Sequence, residues 1–486
     1  MLQKCFRSTK NFPNTSLIGA FERLGLGYGA DVNAYTSFDE TVYMQSLPKT
    51  DNTTTSVVFK WLRDILDGEL FIEEEMDIER RIVQSEEEVR DSGDQQVALA
   101  ALQWQLPDHI ISKRYTIGGT EETIFSWTRD MLVNYHTKWY NTRRVTVVVV
   151  GDMRTEDMEQ LIVETFESVE DFGDRGEDPE LGSVPEGLGL KTQVFVNREL
   201  VDTSIWLEIA KPNNFLPDTV SKRARDLQFS VINDIIWNRI NDRSFLGLNT
   251  TAFLSGGAYV FEVNGFELGG VSVRPKEGRW KEAVAEMEQL WRRVITYGFT
   301  QYEVDIAKGY YLNAYEQGVL SKNATLSQML VGTLAYNVNL RSVYSTPEED
   351  LRVAAIVIDD MTPETLHELY RSYWDTEDIF LYMNTPSVDG TAEDAAAQLE
   401  EAFLASQDVD VEPPVEKEPV VFAYTDFGSP GSVVQDTFIE DLEVRQMVLS
   451  NNVRVNMKQT DVSKHHFICT VWLLHLSVRS HVHYFS

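Results

Sequence analysis

Apolar positions recur along this chain with two periods, one of strands and one of helices, and the strands come in groups separated by long helical stretches. From Gly29 to Leu47 the pattern alternates, with Tyr35 and Ser37 on one face and Ala34 and Thr36 on the other. After Ser37-Phe38-Asp39-Glu40 it runs on through Val42 and Met44, which predicts a hairpin. Glu73 to Arg90 follows the helical period, and Val194 to Ala210 reads as further strand material. Grouped strands with long connections predict an α+β fold rather than a doubly wound sheet. No run of eighteen apolar residues occurs, so no membrane span is expected.

The pattern repeats. Glu75-Met76-Asp77-Ile78 opens one helical stretch and Glu303-Val304-Asp305-Ile306 opens another, 228 residues later. Each follows an amphipathic segment ending near a glycine, Trp61 to Leu66 before Gly68 and Leu290 to Ile295 before Gly298. Tyr135 to Trp139 is matched by Tyr370 to Trp374 at an offset of 235, each as a Tyr-x-x-x-Trp turn. Apolar β runs follow them, Val145 to Val150 and Ile379 to Met383. Landmarks in the same order at nearly constant offset predict two homologous lobes, each a mostly antiparallel sheet packed with long helices. The first lobe is expected over 1–185 and the second over 190–405, with the charged, glycine-rich stretch from Asp171 to Pro179 between them. Residues 406–432, acidic and proline-bearing, read as a linker. Residues 433–461 read as the start of a third unit, with two strands around a turn between Met447 and Met457.

Composition narrows the function classes. The 486 residues are 43% hydrophobic, enough for globular cores, and the formal net charge of -34 disfavours nucleic acid and anionic membranes as partners. Cys5 and Cys469, the two cysteines, exclude a disulfide framework. From Val462 to Ser486 the chain carries no Asp or Glu yet holds five of its eight histidines, and it is expected to be a tail foreign to the fold. His465, His466 and Cys469 read poorly as a metal cluster, because adjacent histidines diverge and no supporting carboxylate is near. The glycines of Gly25-Leu26-Gly27-Tyr28-Gly29 lack the residues of a phosphate loop and read as a turn.

The chemistry concentrates in the helix from Glu73 to Arg90. Glu79, Val83 and Glu86 share one face, with Ile82 and Val89 on the same side. Carboxylates in an apolar stripe are costly unless paired or metal-bound. Arg80, Arg81 and Arg90 offer the plain alternative of an ion-paired, solvated helix. The repeat weighs against it: at the 228 offset Glu79 becomes Ala307 and Glu86 becomes Ala314, so packing alone does not demand the acids.

These residues carry a resemblance. Thr9-Lys10-Asn11-Phe12-Pro13 and the string from Gly29 to Tyr43 resemble the first lobe of the pitrilysin/insulinase family of zinc metallopeptidases, in particular its long bacterial-type members with four lobes. Glu79-Arg80, Val83 and Glu86 are similar to that family's second zinc-site element, and Tyr135 to Asp152 to the end of its first lobe. Residues 190–405 resemble its non-catalytic lobe, and Leu449 to Lys458 the start of its third. The resemblance implies a zinc-dependent metalloendopeptidase with Glu86 as metal ligand and Glu79 as its support. It also implies that Asn33 and Ala34 form the edge strand pairing with a peptide or unfolded polypeptide substrate.

One departure follows. The family's inverted motif, His-x-x-Glu-His, supplies two zinc ligands and the general base, and it occurs nowhere in these 486 residues. Aligned without gaps, the second histidine falls on Gln3, the base on Leu2, and the first histidine before Met1. The sequence as written is therefore expected to bind zinc weakly and to be inactive. Two readings account for this. A gene model that starts late and ends early is preferred, given the odd tail. The other is a non-catalytic peptide-binding or scaffold subunit of the same family.

Overall fold

The computed structural model describes residues 8–13, 16–27, 29–114, 116–171, 177–213, 217–245, 251–263, 265–418 and 424–459. Expectations placed on Met1, Leu2, Gln3, Cys5, Pro419 and the histidine-rich tail lie outside the described residues. The fold is mixed α+β with mostly antiparallel sheets, as the pattern predicted. One compact unit holds the chain up to Tyr315 and from Leu326 to Glu418, and a second holds Glu316–Thr325 and the chain beyond Glu418. Among the described residues no helix is long and apolar enough to cross a membrane.

The first unit begins with α1 (Ser16–Arg23) and a hairpin of β1 (Val32–Thr36) and β2 (Thr41–Gln45). The register runs from Val32 opposite Gln45 to Thr36 opposite Thr41, and the Ser37 N–H closes the turn onto the Glu40 carbonyl at 2.9 Å. The helices α2 (Asn52–Asp67), α3 (Glu73–Arg90), α4 (Gly93–Gln105), α5 (Ile110–Arg114), α6 (Glu121–Ser126), α7 (Arg129–Trp139) and α8 (Thr155–Phe166) follow. Asp51 caps α2, its carboxylate accepting the Thr53 and Thr54 N–H groups. Phe21, Trp61, Ile65 and Val32 close a small core between α1, α2 and the hairpin.

Two expectations change here. Tyr135 to Trp139 is the last turn of α7 and Tyr370 to Tyr373 that of a later helix, so neither is a connecting turn. Val145 to Val150 forms no strand, and Val145 and Val149 are exposed. A strand exists only through its ladder, and among the described residues none pairs with this run.

The chain then builds β3 (Leu190–Val196), β4 (Ser204–Asn213), α9 (Val220–Phe245), β5 (Phe253–Val263), β6 (Gly265–Pro275), α10 (Trp280–Tyr297), α11 (Gln301–Ser321), α12 (Ser327–Asn339), α13 (Pro347–Asp360), α14 (Pro363–Tyr373), β7 (Ile379–Thr385) and α15 (Ala392–Gln407). The five strands are ordered β3-β7-β4-β6-β5, with β3 and β7 parallel and the rest antiparallel. The pleat divides β4 cleanly. Ile205, Leu207 and Ile209 are each fully buried in the main core with α9, α10 and α15. Trp206, Glu208 and Ala210 face the other way, where α4 and α5 cover the sheet through Leu106, Ile111, Phe266 and Leu268.

The second unit holds β8 (Val433–Ile439), β9 (Val444–Leu449) and β10 (Arg454–Lys458) in one antiparallel sheet. The two strands expected around a turn are β9 and β10.

Candidate functional site

Helix α3 spans Glu73–Arg90, the range its periodicity predicted. Three acids in its first turn and Arg90 in its last suit the helix dipole and offset the missing side-chain cap at Ile72. Met76, Glu79 and Val83 are buried, with Glu79 only 2% exposed. Glu86, two turns on, is half-buried. Val89, seven positions after Ile82 and so on the same flank, is 86% exposed rather than buried. A flank of Ile78, Arg81, Ile82, Glu86, Val89 and Arg90 instead lines an open depression of about 840 Å³. Glu86 thus stands at the border between the packed stripe and this opening. Two of the three arginines offered as partners pair with other acids, Arg80 with Asp77 at 2.5 Å and Arg90 with Glu87 at 3.5 Å. Ala307, at the position of Glu79 in α11, is also buried, so a methyl fills the corresponding place there.

Sequence reasoning missed a second layer of acids around the start of α3. Asp64 of α2, 1% exposed, accepts the Thr9 hydroxyl, the Asn11 N–H at 3.0 Å and Asn11 Nδ2 at 2.6 Å. The Lys10 N–H reaches the Gly68 carbonyl at 2.8 Å, and Thr9 bridges Glu69. Ser8 Oγ donates to Glu75. Segment 8–12 is thereby fastened between α2 and α3. Burial pushes the Glu69 carboxyl up to about 8, Glu75 and Asp64 adding to the rise while the Phe71 N–H opposes it. Glu69 Oε2 and Glu75 Oε2 are buried without a hydrogen-bond partner. Phe71 itself sits at φ 50, left-handed backbone a bulky residue adopts only when its surroundings hold it there. Its own burial and the Arg129 Nε–H bond to its carbonyl at 3.0 Å do so. The available signal was a lone aspartate between Trp61 and Ile65 on an otherwise apolar helix face.

Asn33 and Ala34 lie on β1 opposite Met44 and Tyr43. Asn33 Oδ1 accepts the Ala34 N–H at 2.8 Å, so the edge's own side chain covers the donor that an incoming strand would use. Among the described residues β1 pairs with β2 alone.

The donor set does not complete a zinc site. Among the described residues no group of three His, Cys, Asp or Glu side chains could hold a metal ion. His136 of α7 is built into packing: its Nε2 meets the Ile65 carbonyl at 2.8 Å and its ring stacks on Tyr140 at 4.7 Å. His109 is buried with its Nδ1 accepting the Ile111 N–H at 3.2 Å. Among the described residues Glu86 is the one side chain that the sequence proposed as a ligand, and no hydrolytic step follows from these residues alone.

Two sequence profiles match the chain: Insulinase (Peptidase family M16) over residues 3–107 and Peptidase M16 inactive domain over 126–310. The chain belongs to the insulinase, or M16, peptidase family. The first M16 match contains β1, β2 and the glutamate helix, and the second contains most of the five-stranded sheet. Among M16 relatives, the chain is 23% identical over 377 residues to the probable zinc protease PqqL of Escherichia coli, covering 77% of this chain and 40% of that one. It is 32% identical over 163 residues to the chloroplastic stromal processing peptidase of Pisum sativum, covering 33% of this chain and 12% of that one. The crystal structure of the periplasmic protease PqqL from Escherichia coli superposes with a TM-score of 0.78 at 20% identity, over 95% of this chain and 50% of that one. Pitrilysin does so at 0.63 and 15%, over 89% and 46%. At these identities the structural likeness is one of fold. The chain spans half or less of the length of these M16 relatives.

Proposed function

We propose that this chain is the glutamate-donating and peptide-holding part of an M16-type zinc metalloendopeptidase, with Glu86 as metal ligand, Glu79 supporting it from the buried stripe, and Asn33–Ala34 receiving an extended peptide. The observation that carries this reading is the placement of the two acids on α3, one buried and one half-buried beside an open depression, within the insulinase match. Zinc, when held by Glu86 and two imidazoles, supplies Lewis acidity and an activated water. This sequence lacks the two imidazoles and the base, so the chain by itself is proposed to be inactive.

The boundaries 1–185, 190–405, 406–432, 433–461 and 462–486 belong to the same proposal, with the first two as duplicated lobes. Helices α7 and α14 support duplication, each eleven residues long and capped by a threonine, Thr128 and Thr362. Cap to cap the offset is 234, one less than the Tyr–Trp spacing suggested. The imidazoles of His136 and His367 also meet the carbonyls of Ile65 and Ile295, each at 2.8 Å.

The test is metal content and peptide cleavage by the purified chain. Substoichiometric zinc, with Glu86→Gln changing nothing but residual binding, and no cleavage of a peptide library are expected. Stoichiometric zinc lost in Glu86→Gln, or chelator-sensitive cleavage, would overturn the inactive reading. The missing His-x-x-Glu-His string leaves a second reading, a peptide-binding subunit of the same family without catalysis. Saturable binding of an extended peptide, weakened by Asn33→Pro and unaffected by Glu86→Gln, would distinguish it.

A further inference from the structure

The seam where α4 covers the five-stranded sheet holds a carboxylate that the proposed function does not use. Glu208 is 2% exposed on β4, the central strand, paired on one side with Gly270 of β6 and on the other with Phe380 of β7. Gln105 Nε2, in the last turn of α4, donates to one carboxylate oxygen, and the Tyr259 hydroxyl of β5 donates to the other. The Tyr382 phenol of β7 is a third hydrogen-bonding neighbour, and β6 faces Glu208 with Gly270, which has no side chain. Thus the side chains that hydrogen-bond it are one amide and two phenols.

Helix α4 is otherwise seated by neutral contacts. The Trp104 ring meets Phe195 at 6.0 Å, Phe380 at 5.2 Å and Tyr382 at 6.1 Å, all edge-on. Asn197 Nδ2 donates to Gln96 Oε1 at 2.7 Å. Gly93 packs so closely that an added Cβ would lie 2.8 Å from Glu199 Cβ.

We propose that Glu208 is a proton-operated latch: α4 seats firmly on the sheet when the carboxyl is protonated and loosens when it is ionised. An ionised carboxylate in this place keeps the Gln105, Tyr259 and Tyr382 hydrogen bonds, and the rest of the hydration it loses on burial is restored only by water. The flanks of β4 are closed by ladder bonds to β6 and β7, so water reaches Glu208 only from the face that α4 and α5 cover, and the Gln105 contact places the carboxyl under the end of α4. The neutral acid needs no water, because the phenol oxygens and the Gln105 amide oxygen can each accept its one proton. Burial pushes Glu208 up to about 7, against the opposing bonds from Gln105 and Tyr382. Its charge therefore changes near neutrality.

Asp91 and Ser92 alone separate α4 from α3, so loosening α4 frees the end of α3 that carries Glu86. The latch itself does not depend on Glu86 binding metal.

The sign is set by the protons held. Once exposed, Glu208 titrates in the ordinary carboxylate range. Between that range and about pH 7 the seated form holds one more proton than the loosened form. The opening constant of α4 then rises roughly tenfold per pH unit across this window and levels off above it. Hydrogen exchange of the whole chain, followed by mass spectrometry from pH 5 to 8.5 and corrected for intrinsic rates, reads it. Opening over residues 93–105 is expected to rise about 40-fold from pH 5 to 7 in the wild type and to stay flat in Glu208→Gln. Tyr259→Phe, which removes a donor to the anion, should move the midpoint to higher pH. His109 also faces this seam through Phe266, and its contribution cancels in the comparison because both proteins contain it. The same rise in Glu208→Gln, or a rise shared equally by α9 and β7, overturns the latch. If Glu208→Gln fails to fold, an unshifted midpoint in Tyr259→Phe overturns it instead.

Discussion

Replacing Asp64 with alanine should release the segment that runs beside the glutamate helix. The carboxylate of Asp64 is the common acceptor for the Thr9 hydroxyl, the Asn11 N–H and Asn11 Nδ2. Thr9 is fully buried and cannot turn to water, whereas the exposed side chain of Asn11 can. Two of the three bonds are therefore lost without replacement. A hydrogen bond to a charged acceptor contributes about 1.5–3 kcal/mol, so Asp64→Ala should cost about 3–5 kcal/mol locally. Asp64→Asn keeps the shape but presents an N–H₂ where acceptors are needed. The Thr9 hydroxyl can reverse to accept and the Asn11 N–H cannot, which predicts about 1–3 kcal/mol. Hydrogen exchange at the Asn11 amide measures this directly, since 3 kcal/mol is a loss of protection of roughly 100-fold. Urea unfolding gives the global share. Unchanged protection at Asn11 together with a global change under about 0.5 kcal/mol in Asp64→Ala would refute the anchoring role.

Two further outcomes follow from the same structure. Because burial holds Glu69 at about 8 in the fold, above its ordinary range, the folded state loses stability as pH rises from about 4.5 to 8; Glu69→Gln should be more stable than wild type to urea at pH 8.5 and equal to it near pH 4, and an equal difference at both values would contradict the assignment. Gly256→Ala on β5 would place a Cβ 2.3 Å from the Ser272 carbonyl oxygen and 3.0 Å from Val273 Cγ1, so it should lower stability by about 1–3 kcal/mol in thermal melts, with the loss smaller if the β5 edge can shift.

The hairpin at Val32–Gln45, the span of α3 and the strands around residue 450 were legible because each rests on a local period that neighbours in sequence enforce. The burial of Glu79 was legible for the same reason, since the apolar stripe containing it is a property of one helix. Val89 and Val145–Val150 show where that reasoning stops. An apolar residue on a helix is buried only if another element meets its side, and an apolar run becomes a strand only if a partner edge is present. The acids Asp64, Glu69 and Glu75 become one cluster because α2 and α3 converge on segment 8–12. Gln105 and Glu208, 103 positions apart, share a buried contact because α4 closes the second face of a sheet assembled later in the chain. Periodicity along the backbone therefore determined the elements and which faces were apolar. The charge state of a carboxylate depends on which groups replace its water, and only the meeting of distant elements decided that.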